Sequence, residues 1–238
     1  MTRDLAWLTA RPIAHRGLHD GNTLVWENTL SAFALAAQNN YAIECDVQLS
    51  SDNVVMVFHD NNLLRLTGVD AMLHERTARQ LSALRIGGSE DRVPHLRDLL
   101  DLAGGRVPLV IELKGNPGHD GGLVEAVAKD LAGYKGDAAI MSFDHHLLRQ
   151  CRSSAPGVPL GLTAEGMREQ DIEAHFSMLA HSPDFVSYNI HHLPNRFVDF
   201  ARQTLKLPVI TWTVNTQGLL AKTYREADQA TFEGMLPP

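Results

Sequence analysis

Short apolar, β-branched runs alternate with helical patterns along nearly the whole 238-residue chain, and few folds accept that alternation. The strand candidates are residues 12–16, 41–48, 54–59, 108–114, 138–143, 159–163, 185–189 and 208–214. Several are continuous apolar runs, as expected of parallel strands covered on both faces. Helical patterns fall between them at 29–37, 96–103, 123–132, 144–153, 169–179, 195–205 and 217–226. Asn28 reads as the N-cap of the first, and Asp144 as that of the fourth. Strand–helix alternation implies a parallel sheet. About eight strands in a chain of this length favour a closed (β/α)8 TIM barrel, formed as one domain over residues 1–238.

Two places break the rhythm. No helix fits between Asp46 and Val54, and Asp52-Asn53 reads as the tip of a two-residue hairpin turn. With that turn Ser51 faces Val54, and Asp46 faces His59 on one side of the sheet. Residues 54–59 are then either a barrel strand or the returning arm of a hairpin. In the second case the eighth barrel strand is 229–233. The other break, 61–106, carries no clear strand and is expected to be a small insertion after the third strand, folded at the barrel mouth.

Composition narrows the partners. Hydrophobic residues make up 44% of the chain, enough for one large core. The longest uninterrupted apolar run, 32–37, is far short of the ~20 residues that cross a bilayer, so no stable membrane anchor is expected. The net charge is −7, from 21 Lys and Arg against 28 Asp and Glu. Without a basic block, that balance argues against nucleic acid and anionic membranes as partners. The apolar stretch Leu5–Leu8 is shorter than the ~7–15 residues of a secretory signal. Two cysteines, Cys45 and Cys151, cannot make a disulfide framework. The expected compartment is therefore cytoplasmic. The 12 histidines point to acid/base or metal chemistry without locating it.

In α/β barrels, functional groups sit at the C-terminal ends of strands. Those ends carry His15-Arg16, then Glu44 and Asp46, then His59-Asp60, then Glu112 and Lys114, then Trp212 and Asn215. Glu44 and Asp46 are two apart on a strand and share a face, as do Glu112 and Lys114. Their neighbours Ile43, Cys45, Val47, Ile111 and Leu113 are apolar and suit the helix-covered side. Three carboxylates then converge inside the barrel, where like charges raise one another's pKa unless a cation neutralises them. An all-oxygen set suits Mg²⁺ or Ca²⁺ better than Zn²⁺. Glu44 with Arg16 and Glu112 with Lys114 could instead be plain interior ion pairs. Two such pairs flanked by two histidines at strand ends favour a site. His15 and His59 titrate in the range needed to activate one oxygen and protonate another in phosphoester hydrolysis. Arg16 and Lys114 offer charge to a phosphate, and Trp212 offers a stacking face to a small polyol. His145-His146 and His191-His192 show no carboxylate partners in sequence and read as solvated. Gly104-Gly105 reads as a helix stop, and Gly87-Gly88 as a turn.

The ordered set His15-Arg16-Gly17, Glu27-Asn28-Thr29 with Ala32-Phe33, Ile43-Glu44-x-Asp46-Val47, His59-Asp60 with Leu63 and Arg65-x-Thr67, Ile111-Glu112-x-Lys114 and Trp212-Thr213-Val214-Asn215 resembles the glycerophosphodiester phosphodiesterase family. Pro94-x-Leu96 and Ser142-Phe143-Asp144 also match, so the resemblance spans essentially the whole chain. It implies a phospholipase-C-like TIM barrel that hydrolyses glycerophosphodiesters, such as glycerophosphocholine or glycerophosphoethanolamine, to sn-glycerol 3-phosphate and an alcohol. It implies Glu44, Asp46 and Glu112 as ligands of a divalent metal and His15 and His59 as the acid/base pair. It further implies Arg16 and Lys114 on the phosphate and Trp212 beside the glycerol, with Glu27 and Asn28 in support. Two stretches depart from the pattern: the loop 18–26, with His19 and Asp20, and the C-terminal stretch 227–234, which lacks a Thr-Asp-x-Pro ending. Both bear on the alcohol half of the substrate. The alternative activity is that of a phospholipase D-type enzyme of the same fold acting on lysophospholipids, with Leu63, Leu64, Leu66, Met72, Leu73, Leu81 and Leu84 as a lid; a core for the insertion is the better reading of those residues. A non-catalytic binding module should have lost part of the charged set, and an amidohydrolase-type barrel should carry His-x-His where this chain has His-Arg-Gly. The expected partner is a small-molecule diester, and the sequence leaves room for a homo-oligomer.

Overall fold

In the computed structural model, which describes residues 4–238, the apolar runs form β1 (Ile13–Ala14), β2 (Ala42–Leu49), β3 (Val55–Val57), β4 (Leu109–Leu113), β5 (Ala138–Ser142), β6 (Leu160–Ala164), β7 (Phe185–Asn189), β8 (Val209–Val214) and β9 (Gln229–Phe232). All but β3 run parallel in a closed eight-stranded barrel. β1 closes it, with Ile13 opposite Ala42 on β2 and opposite Thr231 on β9.

β3 lies outside the barrel, antiparallel to β2, so residues 54–59 are a hairpin arm and β9 is the eighth barrel strand. The hairpin register differs from expectation by one residue. Val47 pairs with Val57, and the amide of Phe58, not of His59, donates to the Asp46 carbonyl at 2.9 Å. The cause is the turn. Ser50 accepts from the Asn53 amide and donates to the Val54 carbonyl, both at 3.0 Å, and Asn53 takes φ +59°. The loop is therefore Ser51-Asp52-Asn53, a three-residue turn closed by a left-handed residue. His59 reaches the barrel mouth beyond the ladder instead. There the Gln48 amide nitrogen holds the carbonyls of Phe58, His59 and Asp60 at 3.0, 3.0 and 2.9 Å.

Side-chain alternation layers the interior. Ile43, Cys45, Val47, Ile111 and Leu113 point outward into a core shared with Phe33, Leu99 and Leu123 on the surrounding helices. On the opposite parity, Ala42 and Val110 join Ile13, Ala139, Met141, Phe185 and Ile210 inside the barrel. Leu5 and Leu8, the latter on the short helix Ala6–Thr9, plug this apolar floor from below. One step further along the same faces come Glu44, Asp46 and Glu112. The barrel is thus greasy at its base and acidic at its mouth.

Helix ends follow local chemistry. Leu30–Gln38 is capped by Thr29, whose hydroxyl accepts from the Ala32 amide at 3.2 Å, and not by Asn28. Asp144 caps His145–Ser154, as its position suggested. The stretch read as one helix over 195–205 is a single α-turn, Arg196–Asp199, continued by a π-turn, Phe200–Thr204. Leu96–Ala103 buries Leu96, Leu99, Leu100 and Ala103 on one stripe and packs into the barrel's outer core. The segment before it has its own cluster, in which Met56, Phe58, Leu63, Leu66, Leu73, Leu81, Ile86 and Val93 are buried and Leu84 packs alongside. Those leucines therefore form a core; of the lid candidates, Leu64 is the exposed one. Both cysteines are buried and free, and no helix among the described residues is long and apolar enough to cross a membrane.

Candidate active site

The turn after β1 begins the site. Arg16 and Gly17 both adopt left-handed backbone, at φ +54° and +81°. A Cβ on Gly17 would lie 2.8 Å from the Ala32 Cβ, so only glycine fits against the helix. This turn aims the Arg16 amide at Glu44 Oε2, 2.8 Å away. Asn28, also left-handed and fully buried, donates its side-chain amide to Asp46 Oδ2 at 2.9 Å. The helix cap expected of Asn28 gives way to this role because Thr29 supplies the cap.

Glu44, Asp46 and Glu112 bring their oxygens within 4.8 Å of one another, all three side chains buried. Strand register enforces this, since Asp46 stands opposite Glu112 on β4. The cations divide unevenly. Lys114 Nζ lies 2.7 Å from Glu112 and 3.6 Å from Asp46. Arg16 reaches Asp46 at 3.2 Å and Glu27 at 2.7 Å. The alternative interior ion pair between the Arg16 side chain and Glu44 does not form; the backbone amide serves Glu44 instead.

Titration follows from those distances. Burial, then the charges of Asp46 and Glu112, push the Glu44 carboxyl well above the ordinary range. Burial also pushes Glu112 up, against Lys114. Burial acts the same way on Asp46, but Lys114 and Arg16 outweigh it and hold this acid low. Burial lowers the His59 imidazole. Such a set, hard oxygens with one acid left undercompensated, fits a divalent cation.

Both histidines are braced by carboxylates. His59 Nδ1 lies 2.7 Å from Asp60 Oδ1. Asp60 is held by Arg65 at 2.7 Å, and Arg65 also clamps Glu27 with two nitrogens. Burial raises Glu27, yet Arg65 and Arg16 more than offset it and keep the carboxylate ionised. His15 Nδ1 lies 2.8 Å from Glu233 Oε2, just past β9. A carboxylate only accepts, so each Nδ1 carries a proton, and in the neutral tautomer each ring would keep a bare Nε2.

A cavity of about 110 Å³ is lined by His15, Arg16, Glu44, Asp46, His59, Glu112, Lys114 and Trp212, so the structure brings all eight sequence-selected residues together. Met141, Phe143, Thr213 and Thr231 line it too. Phe143 meets the Trp212 ring edge-on, with centroids 5.3 Å apart. Sequence reasoning missed Phe143 as a lining residue and missed Glu233. The signal for Glu233 was its place after the conditional eighth strand. His146 departs from expectation: it does have carboxylate partners, Asp144 at 2.5 Å and Asp120 at 3.5 Å, because the loop after β4 brings Asp120 to the helix that Asp144 caps.

Fold and site together define a barrel hydrolase with an acidic, cation-accepting centre between two carboxylate-braced histidines. The sequence model described as the glycerophosphoryl diester phosphodiesterase family matches residues 15–236, and the chain belongs to that family of phosphoric diester hydrolases. It is 30% identical over 227 residues to YhdW of Bacillus subtilis (strain 168), covering 88% of each chain. It is 32% identical over 162 residues to a glycerophosphodiester phosphodiesterase of Caldanaerobacter subterraneus, covering 63% of this chain and 65% of that one. Among solved structures, an Oleispira antarctica phosphodiesterase in complex with its product sn-glycerol-3-phosphate superposes with a TM-score of 0.81 at 22% identity, over 94% of this chain and 92% of the other.

Proposed function

We propose that the cavity binds a divalent cation, Mg²⁺ or Ca²⁺, through Glu44, Asp46 and Glu112, and hydrolyses small glycerophosphodiesters such as glycerophosphocholine or glycerophosphoethanolamine to sn-glycerol 3-phosphate and an alcohol. The observation that carries this reading is the convergence of two braced histidines, three buried carboxylates and two cationic side chains on one cavity. A bound cation supplies Lewis-acid charge and a template for the phosphate oxygens. Lys114 and Arg16 add fixed positive charge where the phosphoryl oxygens gain negative charge. One of His15 and His59 takes the proton of the attacking oxygen through a bare Nε2: water attack gives sn-glycerol 3-phosphate directly, and attack by the substrate's neighbouring hydroxyl gives a cyclic phosphate that water then opens to the same product. The other, protonated, gives its Nε2 proton to the departing alkoxide as the phosphorus–oxygen bond breaks. Trp212, braced by Phe143, offers an apolar wall to the glycerol carbons. Small diesters are favoured over lysolipids because most of the leucines that would form a lid are buried in the insertion's own core. The enzyme is expected to act in the cytoplasm, without nucleic-acid partners.

The test is a panel of glycerophosphodiesters with sn-glycerol 3-phosphate detected, run with and without chelator, alongside lysophospholipids. Turnover of the small diesters that is lost in chelator and restored by Mg²⁺ or Ca²⁺ supports the reading. Full activity in excess chelator removes the metal from it. Turnover of lysolipids alone transfers it to the phospholipase D class.

A further inference from the structure

We propose that Glu233 is a positioning residue that fixes the tautomer and orientation of His15, and that His19 braces it from the other side. His15 and Glu233 leave neighbouring strands in step. Ala14 pairs with Phe232, and the His15 amide donates to the Phe232 carbonyl at 2.9 Å. The Glu233 amide donates to the Val214 carbonyl on β8 at 3.1 Å, which anchors its backbone on the other side. From there Oε2 accepts from His15 Nδ1 at 2.8 Å. The opposite nitrogen of the same ring, Nε2, points toward the carboxylate cluster, 4.0 Å from Glu44 Oε2. Proton placement on His15 is thus set from outside the cavity.

His19 supplies the second hold. Its Nδ1 accepts from the Gly21 amide at 3.2 Å, so the ring proton must sit on Nε2. That Nε2 is buried, has no hydrogen-bond partner, and lies 3.7 Å from the same Glu233 Oε2. Two ring N–H groups of the loop after β1 therefore face one oxygen, His15 Nδ1 bonded at 2.8 Å and His19 Nε2 at 3.7 Å. An ordinary surface ion pair would need neither arrangement.

The inference rests on the phosphodiesterase reading only for its kinetic arm. In the metal-loaded full chain, ring-nitrogen NMR of His15 should show Nδ1 protonated. In Glu233→Ala the Nε2-protonated form should gain, and kcat should fall about 10–100-fold with KM within about threefold of wild type. Glu233→Gln keeps an acceptor of the same shape without the charge, and should recover part of the kcat and the Nδ1–H tautomer. His19→Ala should keep that tautomer and lower kcat only by roughly threefold, well inside the loss expected for a removed outer partner. A folded Glu233→Ala protein that keeps Nδ1–H on His15 would overturn the proposal. So would a variant that raises KM at unchanged kcat, which would make Glu233 a substrate contact. If Glu233→Ala fails to fold, Glu233→Asp takes its place, since its carboxylate is one methylene shorter and withdraws from Nδ1. Wild-type kcat and an unchanged His15 tautomer in that variant would overturn the proposal equally. If the wild type turns over no diester, the proposed function fails, and the NMR arm still decides the role of Glu233.

Discussion

Glu44 Oε2 lies 4.0 Å from His15 Nε2, and among the described residues no lysine or arginine side chain pairs with it. Glu112 has Lys114 at 2.7 Å, and Asp46 has Arg16 at 3.2 Å. Glu44 is therefore the acid that burial and its neighbours hold protonated above the ordinary value of 4.5. A folded-state pKa raised above the unfolded one favours folding fully below the unfolded value and loses that contribution as pH rises through the folded value. The metal-free protein should lose stability as pH climbs from 4.5 through the raised Glu44 value. Saturating Mg²⁺ or Ca²⁺ should restore it, by about 2.7 kcal/mol at a hundredfold excess over Kd, or about 5–10 °C in Tm. Thermal unfolding across pH, in chelator and in metal, measures this. A Tm that does not respond to either cation at any pH would contradict it.

Glu44→Gln separates the charge from the shape. Glutamine can still accept from the Arg16 amide but cannot ionise. In chelator above the raised Glu44 value, the variant should be more stable than wild type by at least ~1 kcal/mol, because a buried, poorly compensated charge is gone. It should also lose most of the metal-dependent rise in Tm and most of its turnover. A variant less stable than wild type in chelator at that pH would show that the ionised Glu44 is well compensated in the metal-free protein.

His15→Ala and His59→Ala should each lower kcat by ~10²–10⁴ with the fold intact. The two rings line one cavity, and one takes a proton through Nε2 while the other gives one, so neither can replace the other's proton transfer. Circular dichroism and metal-dependent Tm shifts should match wild type, and steady-state kinetics on the preferred diester reads the loss. An effect under about tenfold for both would remove them from the reaction.

Much of this arrangement was readable from side-chain parity. Charge on one face and grease on the other placed Glu44, Asp46, Glu112 and Lys114 inside the barrel, and that is where they lie. The closed barrel followed from alternation and length. What escaped was set by geometry that residue types encode weakly. The hairpin slipped one residue because Asn53 adopts a left-handed conformation, which added a loop residue and moved His59 off the ladder. Asn28 resembles a cap by composition, but Thr29 next to it has the better-placed hydroxyl. The partner of His15 is 218 residues away and the second partner of His146, Asp120, is 26 away, so no local spacing announces them; Asp144, two residues before His146, reads in sequence only as a helix cap. Glu233 becomes visible only once β9 is known to lie beside β1.

Gly17→Ala tests how far the first turn supports the acidic cluster. The added methyl would meet the Ala32 Cβ at 2.8 Å and the Phe33 ring at 2.9 Å, and both residues are fully buried in the helix behind the site. The backbone there is at φ +81°, which alanine disfavours. Strain and overpacking together should cost about 2–4 kcal/mol, a drop of about 4–16 °C in Tm for a domain of this size. Because the same turn aims the Arg16 amide at Glu44, relief of the clash should also loosen that 2.8 Å hydrogen bond and weaken metal binding. Gly21→Ala is the control. Its φ is +78°, but nothing lies within 4 Å of an added Cβ, so it carries the conformational cost without the clash. Titration of metal into each variant, followed by Tm, separates the two effects. Equal losses of metal affinity in both would mean that the Gly17 turn does not orient the site.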